Sequence, residues 1–236
     1  FPLAKVEKYA AAMEKTAAEA GVRIVAGDTK VAGKGQVDNI FITTTGIGHT
    51  MEGVSLSGAY AKPGDAVIVT GDIGRHGCTI LLARGSYGIN AGVTSDCAPL
   101  WGTVKAMLDT TKDIHVIRDA TRGGVGTVLY EIAEQSHVGI RLDSKAVPVN
   151  KTVSGVCGML GLEPLYLACE GRLVVFAPKK AAPAIVAALK KGKYSQEAAV
   201  IGEVTAEMAG HVTVRTEIDT ETMLPPPGGE LLPRIC

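Results

Sequence analysis

The chain ends in "ELLPRIC", so the last residue, Cys236, carries a thiol that nothing in the sequence shields. A free cysteine has a pKa of about 8.5; a neighbouring terminal carboxylate raises it, and Arg234 offsets that. Such a thiol suits a carrier that is acylated in one place and processed in another, although an incidental cysteine on a free end reads equally well from the tail alone. Prenylation needs the cysteine fourth from the end and is excluded. Three more stretches could do chemistry. In "AGDTKV", Gly27, Asp28, Thr29 and Lys30 form a polar turn at the end of an apolar run. Asp28 could hold Mg²⁺, which favours one or two carboxylates plus phosphate oxygens, and Lys30 could meet a phosphate as a point charge. A solvated hairpin turn explains the same residues. In "RDATRGG", Asp119, Thr121 and Arg122 precede Gly123 and Gly124, where backbone N–H groups at a helix start can approach an anion. "GDIGRHG" is a weaker junction of the same kind. In "ACEGRL", Glu170 stands before a strongly apolar strand and could be a general base, or a solvated glutamate at a strand entry. The spacing in "GDTKVAGKG" excludes a P-loop, and no GxGxxG fingerprint is present. The five histidines are scattered without metal-ligand spacing.

The elements that must position these groups follow from periodicity. Leu3, Val6, Ala10, Met13 and Ala17 predict an amphipathic helix over 3–20, ended by Gly21. "VRIVAGD" and "VDNIFITTTGIG" predict two strands, and the sequence loosens near 50–58. Beyond come a strand at 66–70, a helix at 75–84, and a helix at 96–110 capped by Ser95 or Asp96. A strand in "HVIRD" leads to a helix over 123–136, and "GIRLD" is a further strand. A helix near 150–160, a strand after Gly171, a helix at 179–190 and strands at 198–204 and 211–216 complete the body. From Glu221 the tail "ETMLPPPGGELLPRIC" reads as a stiff-then-flexible arm. From Pro227 onward it could extend on the order of 25–30 Å at ~3.1 Å per residue.

Composition narrows the class. The chain has 236 residues, 46% of them hydrophobic, which suffices for one large or two modest domains. Its formal net charge is zero, so nothing points to nucleic acid or an anionic membrane surface. No apolar run approaches the ~20 residues a membrane span needs. Five cysteines without CxxC spacing fit neither a zinc site nor a disulfide framework, and four of them, in apolar or helical settings, read as small hydrophobes. With no signal peptide visible, this predicts a reducing, cytoplasmic setting. The first residue is Phe1, and the immediate helical pattern predicts that a segment precedes it.

Taken together, "VAGDTKV", "RDATRGG", "CEGRLVV", "IGEV" and the terminal "PRIC" resemble the family of ATP-using synthetases that includes aminoimidazole ribonucleotide synthetase, selenophosphate synthetase and thiamine-monophosphate kinase. The terminal cysteine points within it to the hydrogenase-maturation carbamoyl dehydratases. The resemblance runs over essentially the whole chain. It implies an α/β (α+β) two-domain PurM-like fold with a truncated N-terminal domain. Residues 1–52 would be the remainder of that domain, 53–220 the C-terminal domain and 221–236 a flexible tail. It implies ATP and Mg²⁺, a homodimer, loading by the carbamoyltransferase HypF and delivery to a HypC–HypD complex. Carried over by position, Cys236 is the carrier, Glu170 the base, Lys30 a third catalytic group and Asp28 the Mg²⁺ ligand. Gly27, Asp28, Thr29, Lys30, Asp119, Thr121, Arg122, Gly123 and Gly124 would line the nucleotide. A family enzyme acting on a diffusible small molecule, and a non-catalytic module with a docking tail, are the competing readings.

Overall fold

The computed structural model describes residues 1–85 and 87–228, in two compact units that divide after Glu52. In the first unit, helix α1 spans Leu3–Ala20. Gly21 ends it in the left-handed conformation (φ 67°), returning its N–H to Ala17 and Ala18, as a C-terminal glycine can without steric cost. The two strands expected over 22–48 are not formed, and their apolar residues stay exposed, Val25 at 84% and Phe41 at 75%. β-branched residues favour extended backbone, but a strand exists only when its N–H and C=O groups meet a partner.

The second unit is a seven-stranded sheet packed on both faces. The strands are β1 (Asp65–Val69), β2 (Val116–Asp119), β3 (Gly139–Asp143), β4 (Leu173–Pro178), β5 (Ala199–Thr205), β6 (Val212–Arg215) and β7 (Glu221–Met223), ordered β2-β4-β1-β5-β3-β6-β7. All pairs are antiparallel except β3 with β6. The helices are α2 (Arg75–Arg84), α3 (Trp101–Thr110), α4 (Gly124–Gln135), α5 (Lys151–Leu160) and α6 (Ala182–Leu189).

The period-2 rule of a strand explains how the sheet is covered. Val67 and Val69 of β1, with Val174 and Phe176 of β4, join one core with Val125, Val128, Leu129 and Ile132 of α4. The alternate residues Ala66, Ile68, Val175 and Ala177 join the other with Met107, Leu108, Ile185 and Leu189 of α3 and α6. Strands β1 and β4 are therefore buried on both sides, and each fully buried aliphatic side chain contributes roughly 1.5–3 kcal/mol. A third cluster packs α2 on α5 through Cys78, Val153, Val156 and Cys157.

Two expectations change here. Helix α3 begins at Trp101 rather than 96, and neither Ser95 nor Asp96 caps it. Residues 221–224 belong to the body rather than to a free arm. β7 pairs with β6, Leu224 is buried, and the hydroxyls of Tyr130 and Tyr166 donate to the carbonyls of Leu224 and Pro225. Cys236, Arg234 and the rest of the chain from 229 lie outside the described residues.

Candidate functional site

Strands β1 and β2 both run antiparallel to β4, which lies between them, so their C-terminal ends flank the start of β4. Three of the chemistry-bearing stretches therefore meet at one edge of the sheet: "GDIGRHG" after β1, "RDATRGG" after β2 and "CEGRL" leading into β4. Ala120 clasps the last of these, taking the Cys169 N–H at 3.0 Å and giving its own N–H to Arg172 O at 3.2 Å. Glu170 and Gly171 are the two residues between those bonds.

Backbone contacts made possible by glycine build this edge. Gly124, at φ 61°, lies where a side chain would strike the carbonyls of Leu165 and Leu167. Gly171 lies where one would strike the Asp96 carbonyl. The open side of Gly124 thus receives the 164–167 turn of the protein itself.

Around Glu170 lies a group of largely buried polar side chains, most of them held by hydrogen bonds or ion pairs. Asp96, with no exposed side-chain surface, accepts the Glu170 backbone N–H at 3.0 Å. Arg172, 4% exposed, donates from Nε to Asp72 O at 2.8 Å and from Nη2 to Asp72 Oδ1 at 2.6 Å. Its Nη1 donates to the carbonyls of Gly171 and Tyr194. Arg75 Nε forms an ion pair with Asp72 Oδ2 at 3.0 Å. His76 Nδ1 lies 2.9 Å from Ser95 Oγ, and its Nε2 lies 3.9 Å from Glu170 Oε1. Ser95 also donates to Cys97 Sγ at 3.1 Å. A cavity of about 230 Å³ opens here, lined by Asp72, Arg75, Asp96, Cys97, Arg172 and their neighbours. The Glu170 side chain keeps 28% of its surface exposed, so the backbone is held by Asp96 while the carboxylate is reachable from outside.

The cysteines differ in kind. Burial pushes the Cys169 thiol up to about 12 and the Cys157 thiol up to about 11. Cys169 accepts the Gly74 N–H and behaves as core. Cys97, read from sequence as a small hydrophobe, is exposed.

Of the residues singled out from sequence, this edge gathers Glu170, Asp119, Thr121, Arg122, Gly123 and Gly124. Asp119 is held by Arg118 and by the Thr121 hydroxyl, each at 2.8 Å, and Arg122 is exposed. Gly27, Asp28, Thr29 and Lys30 belong to the first unit, where all four are exposed and Asp28 Oδ1 accepts the Thr29 N–H at 2.8 Å. Sequence reading missed Asp72, His76, Ser95, Asp96 and Arg172. The available signal was the pairing of a second Gly/Asp junction, "GDIGRHG", with an arginine directly after Glu170-Gly171. No cluster of three or more metal-binding side chains occurs among the described residues. That is compatible with Mg²⁺, whose shell needs few carboxylates and is completed by water and phosphate oxygens.

Comparison with known proteins places this architecture in a class. Residues 62–215 match the family model of the AIR synthase related protein, C-terminal domain. Within that class, the chain is 44% identical over 236 residues to the carbamoyl dehydratase HypE of Azotobacter vinelandii, covering 100% of this chain and 69% of that protein. A crystal structure of the hydrogenase maturation protein HypE in complex with ATP superposes with a TM-score of 0.92 at 43% identity, covering 100% of this chain and 72% of that one. HypE in a HypE–HypF complex superposes with a TM-score of 0.92 at 41% identity, covering 96% and 74%. The chain belongs to the HypE family of carbamoyl dehydratases.

Proposed function

We propose that the protein dehydrates a carbamoyl group carried as an S-carboxamide on Cys236 to a thiocyanate, using ATP, and so supplies cyanide ligands for nickel–iron hydrogenase. The observation that carries this reading is Glu170: a reachable carboxylate at the sheet edge where two strand–glycine–helix junctions converge, its backbone fixed by the buried Asp96. Family membership and likeness to a HypE–ATP complex support ATP as the co-substrate. Likeness to HypE in the HypE–HypF complex supports a HypF-type carbamoyltransferase as the loading partner.

Losing oxygen from an amide requires a better leaving group than oxide. Bound ATP supplies a phosphoryl group to the carboxamide oxygen, so that phosphate can depart. Glu170 takes protons from the carboxamide nitrogen. Lys30 meets the developing negative charge on the transferring phosphoryl oxygens, as a flexible point charge does. Asp28, an exposed carboxylate in a tight turn, is suited to hold Mg²⁺ with phosphate oxygens completing the shell. Asp119, Thr121 and Arg122 would contact the nucleotide. Delivery of the cyano group to a HypC–HypD complex, a homodimer and a cytoplasmic setting complete the reading. Among the described residues, no helix is long and apolar enough to cross a membrane.

The test is mass spectrometry of the terminal peptide after incubation with the carbamoyltransferase, carbamoyl phosphate and ATP. A carbamoyl adduct on Cys236 that loses one water only when ATP is available to this protein supports the reading. If Cys236 stays unmodified while a HypE control is loaded, the carrier role is excluded and a small-molecule substrate takes its place.

A further inference from the structure

The proposed reaction takes two protons from one nitrogen. First the carboxamide oxygen attacks the γ-phosphorus of ATP, ADP leaves, and one N–H proton departs, leaving S–C(OPO₃)=NH. Then the second N–H proton departs as the C–O bond breaks, expelling phosphate and leaving S–C≡N. One proton ends on phosphate and one is released. A single carboxylate holds one proton at a time, so Glu170 must be emptied between the two steps.

We infer that His76 and Ser95 form the exit for that proton, with His76 acting through Glu170 and not on the substrate. This rests on the dehydratase reading and adds a residue set to it. His76 is 8% exposed, and its buried Nε2 has no hydrogen-bond partner among the described residues. That is costly for a buried polar atom unless it serves a purpose. Nε2 lies 3.9 Å from Glu170 Oε1, a gap that a small side-chain adjustment closes to hydrogen-bond distance, as catalytic contacts often tighten when substrate binds. The other ring nitrogen is engaged with Ser95 Oγ at 2.9 Å, and Ser95 donates onward to Cys97 Sγ at 3.1 Å. Ser95 Oγ also accepts the Cys97 N–H at 3.1 Å, which fixes the hydroxyl in place. Cys97 is exposed, so the chain Glu170, His76, Ser95, Cys97 runs from the carboxylate to solvent. Imidazole is suited to the central place because one nitrogen can accept as the other donates.

The other charged groups around His76 are Asp72 and Arg75 from the turn into α2, Asp96 from the segment before α3, and Arg172 from the approach to β4. Asp72 is paired to both arginines, at 3.0 and 2.6 Å. Asp96 is engaged by the Glu170 N–H and lies 4.0 Å from Arg172 Nε. Asp96 Oδ2 makes no hydrogen bond among the described residues, but of these carboxylates Glu170 is the one that lies within 4 Å of the imidazole.

The experiment follows a single turnover of protein loaded on Cys236 by the carbamoyltransferase, started with ATP and read as water loss by mass spectrometry. It compares wild type with His76→Gln, His76→Ala and Ser95→Ala. Far-ultraviolet circular dichroism and equilibrium ATP binding confirm that each variant is folded and loaded with nucleotide. Expected is a fall of about ten- to hundredfold in the rate for His76→Gln, a smaller one for Ser95→Ala, and a rate in both that climbs with pH as the solvent takes over. Added imidazole restores His76→Ala. An unchanged rate in His76→Gln overturns the relay, and so does a loss that neither rising pH nor imidazole recovers. Absence of water loss in the wild type instead removes the dehydratase reading and the relay with it.

Discussion

Asp96 and Glu170, 74 positions apart in sequence, are joined by a hydrogen bond of 3.0 Å from the Glu170 backbone N–H to the Asp96 carboxylate. The bond fixes the backbone of the proposed base and leaves its side chain to the solvent side. Asp96→Ala removes the acceptor from a partly buried N–H, which costs up to about 1–3 kcal/mol, the range for full burial. A lower melting temperature and a loss of dehydration that exceeds the loss of ATP binding are expected. Asp96→Asn keeps an acceptor oxygen and should retain more of both. Equal losses in binding and turnover would contradict a role in orienting Glu170.

Arg172 is the second prediction. Its guanidinium serves the Asp72 carboxylate and three carbonyls from a nearly dry position. Removing one member of a buried ion pair typically costs about 3–5 kcal/mol when the other is left unpaired. Here Arg75 still pairs Asp72 at 3.0 Å, so the loss comes chiefly from the carbonyls that lose their donor and falls toward the low end of that range. Arg172→Ala should therefore unfold at distinctly lower denaturant concentration. Arg172→Lys should recover little, since an ammonium lacks the planar fork these partners require. The double variant Asp72→Asn/Arg172→Met should be more stable than Arg172→Ala. Chemical denaturation of the three variants decides the matter.

Much of this frame is legible in the sequence. The helical spacing of α1 with Gly21 behind it, and the alternation that divides β1 between two cores, are local properties of the chain. The meeting of Glu170 with Asp119 and Thr121 is not, because it depends on β4 entering between β1 and β2. Ser95 and Asp96 look like helix caps, as any serine or aspartate before a helical pattern does. Folding uses them elsewhere, at His76 and at the Glu170 N–H. The run from 22 to 48 has the residues of strands, and no residue type can declare whether a hydrogen-bonding neighbour is present. In "ETMLPPP" the prolines mask a three-residue strand whose partner, β6, lies just upstream.

Acid should loosen the end of that strand. The Thr213 hydroxyl, at 2.6 Å, and then Arg141, at 3.1 Å, hold the Glu221 carboxyl below the usual glutamate value of about 4.3. A lowered folded-state pKa means that the stabilisation is fully present above the ordinary value. It fades as pH falls through the lower, folded value. The side chain is 44% exposed, so the effect is local and weakened by salt. Hydrogen exchange at Thr222 and Leu224, after correction for intrinsic rates, should show protection decreasing below about pH 4 in wild type. In Glu221→Gln, protection should already be reduced at neutral pH and change less with acid.

Thiol chemistry gives a fourth test. In a Cys236→Ser background, iodoacetamide at neutral pH should alkylate Cys97 in the native protein. It should leave Cys78, Cys157 and Cys169 unmodified until denaturant is added, since all three are buried and their thiols pushed up by burial. Peptide mapping reads the order directly. Native-state labelling of Cys169 would contradict its placement between the Gly74 N–H and the Leu167 carbonyl.

The tyrosine hydroxyls on Leu224 and Pro225 make the proposed arm a tether with a fixed origin. Tyr166 lies in the turn that runs directly into Glu170, so the arm departs from the rim of the site it would serve. A tethered group meets its target at an effective concentration set by linker length and stiffness, of millimolar order for short linkers. Capture of the loaded thiol would then be first order, its rate the same in a dilute cell extract as at high protein concentration. Releasing the origin with Tyr130→Phe and Tyr166→Phe would lengthen the tether and lower that concentration without touching a reacting atom.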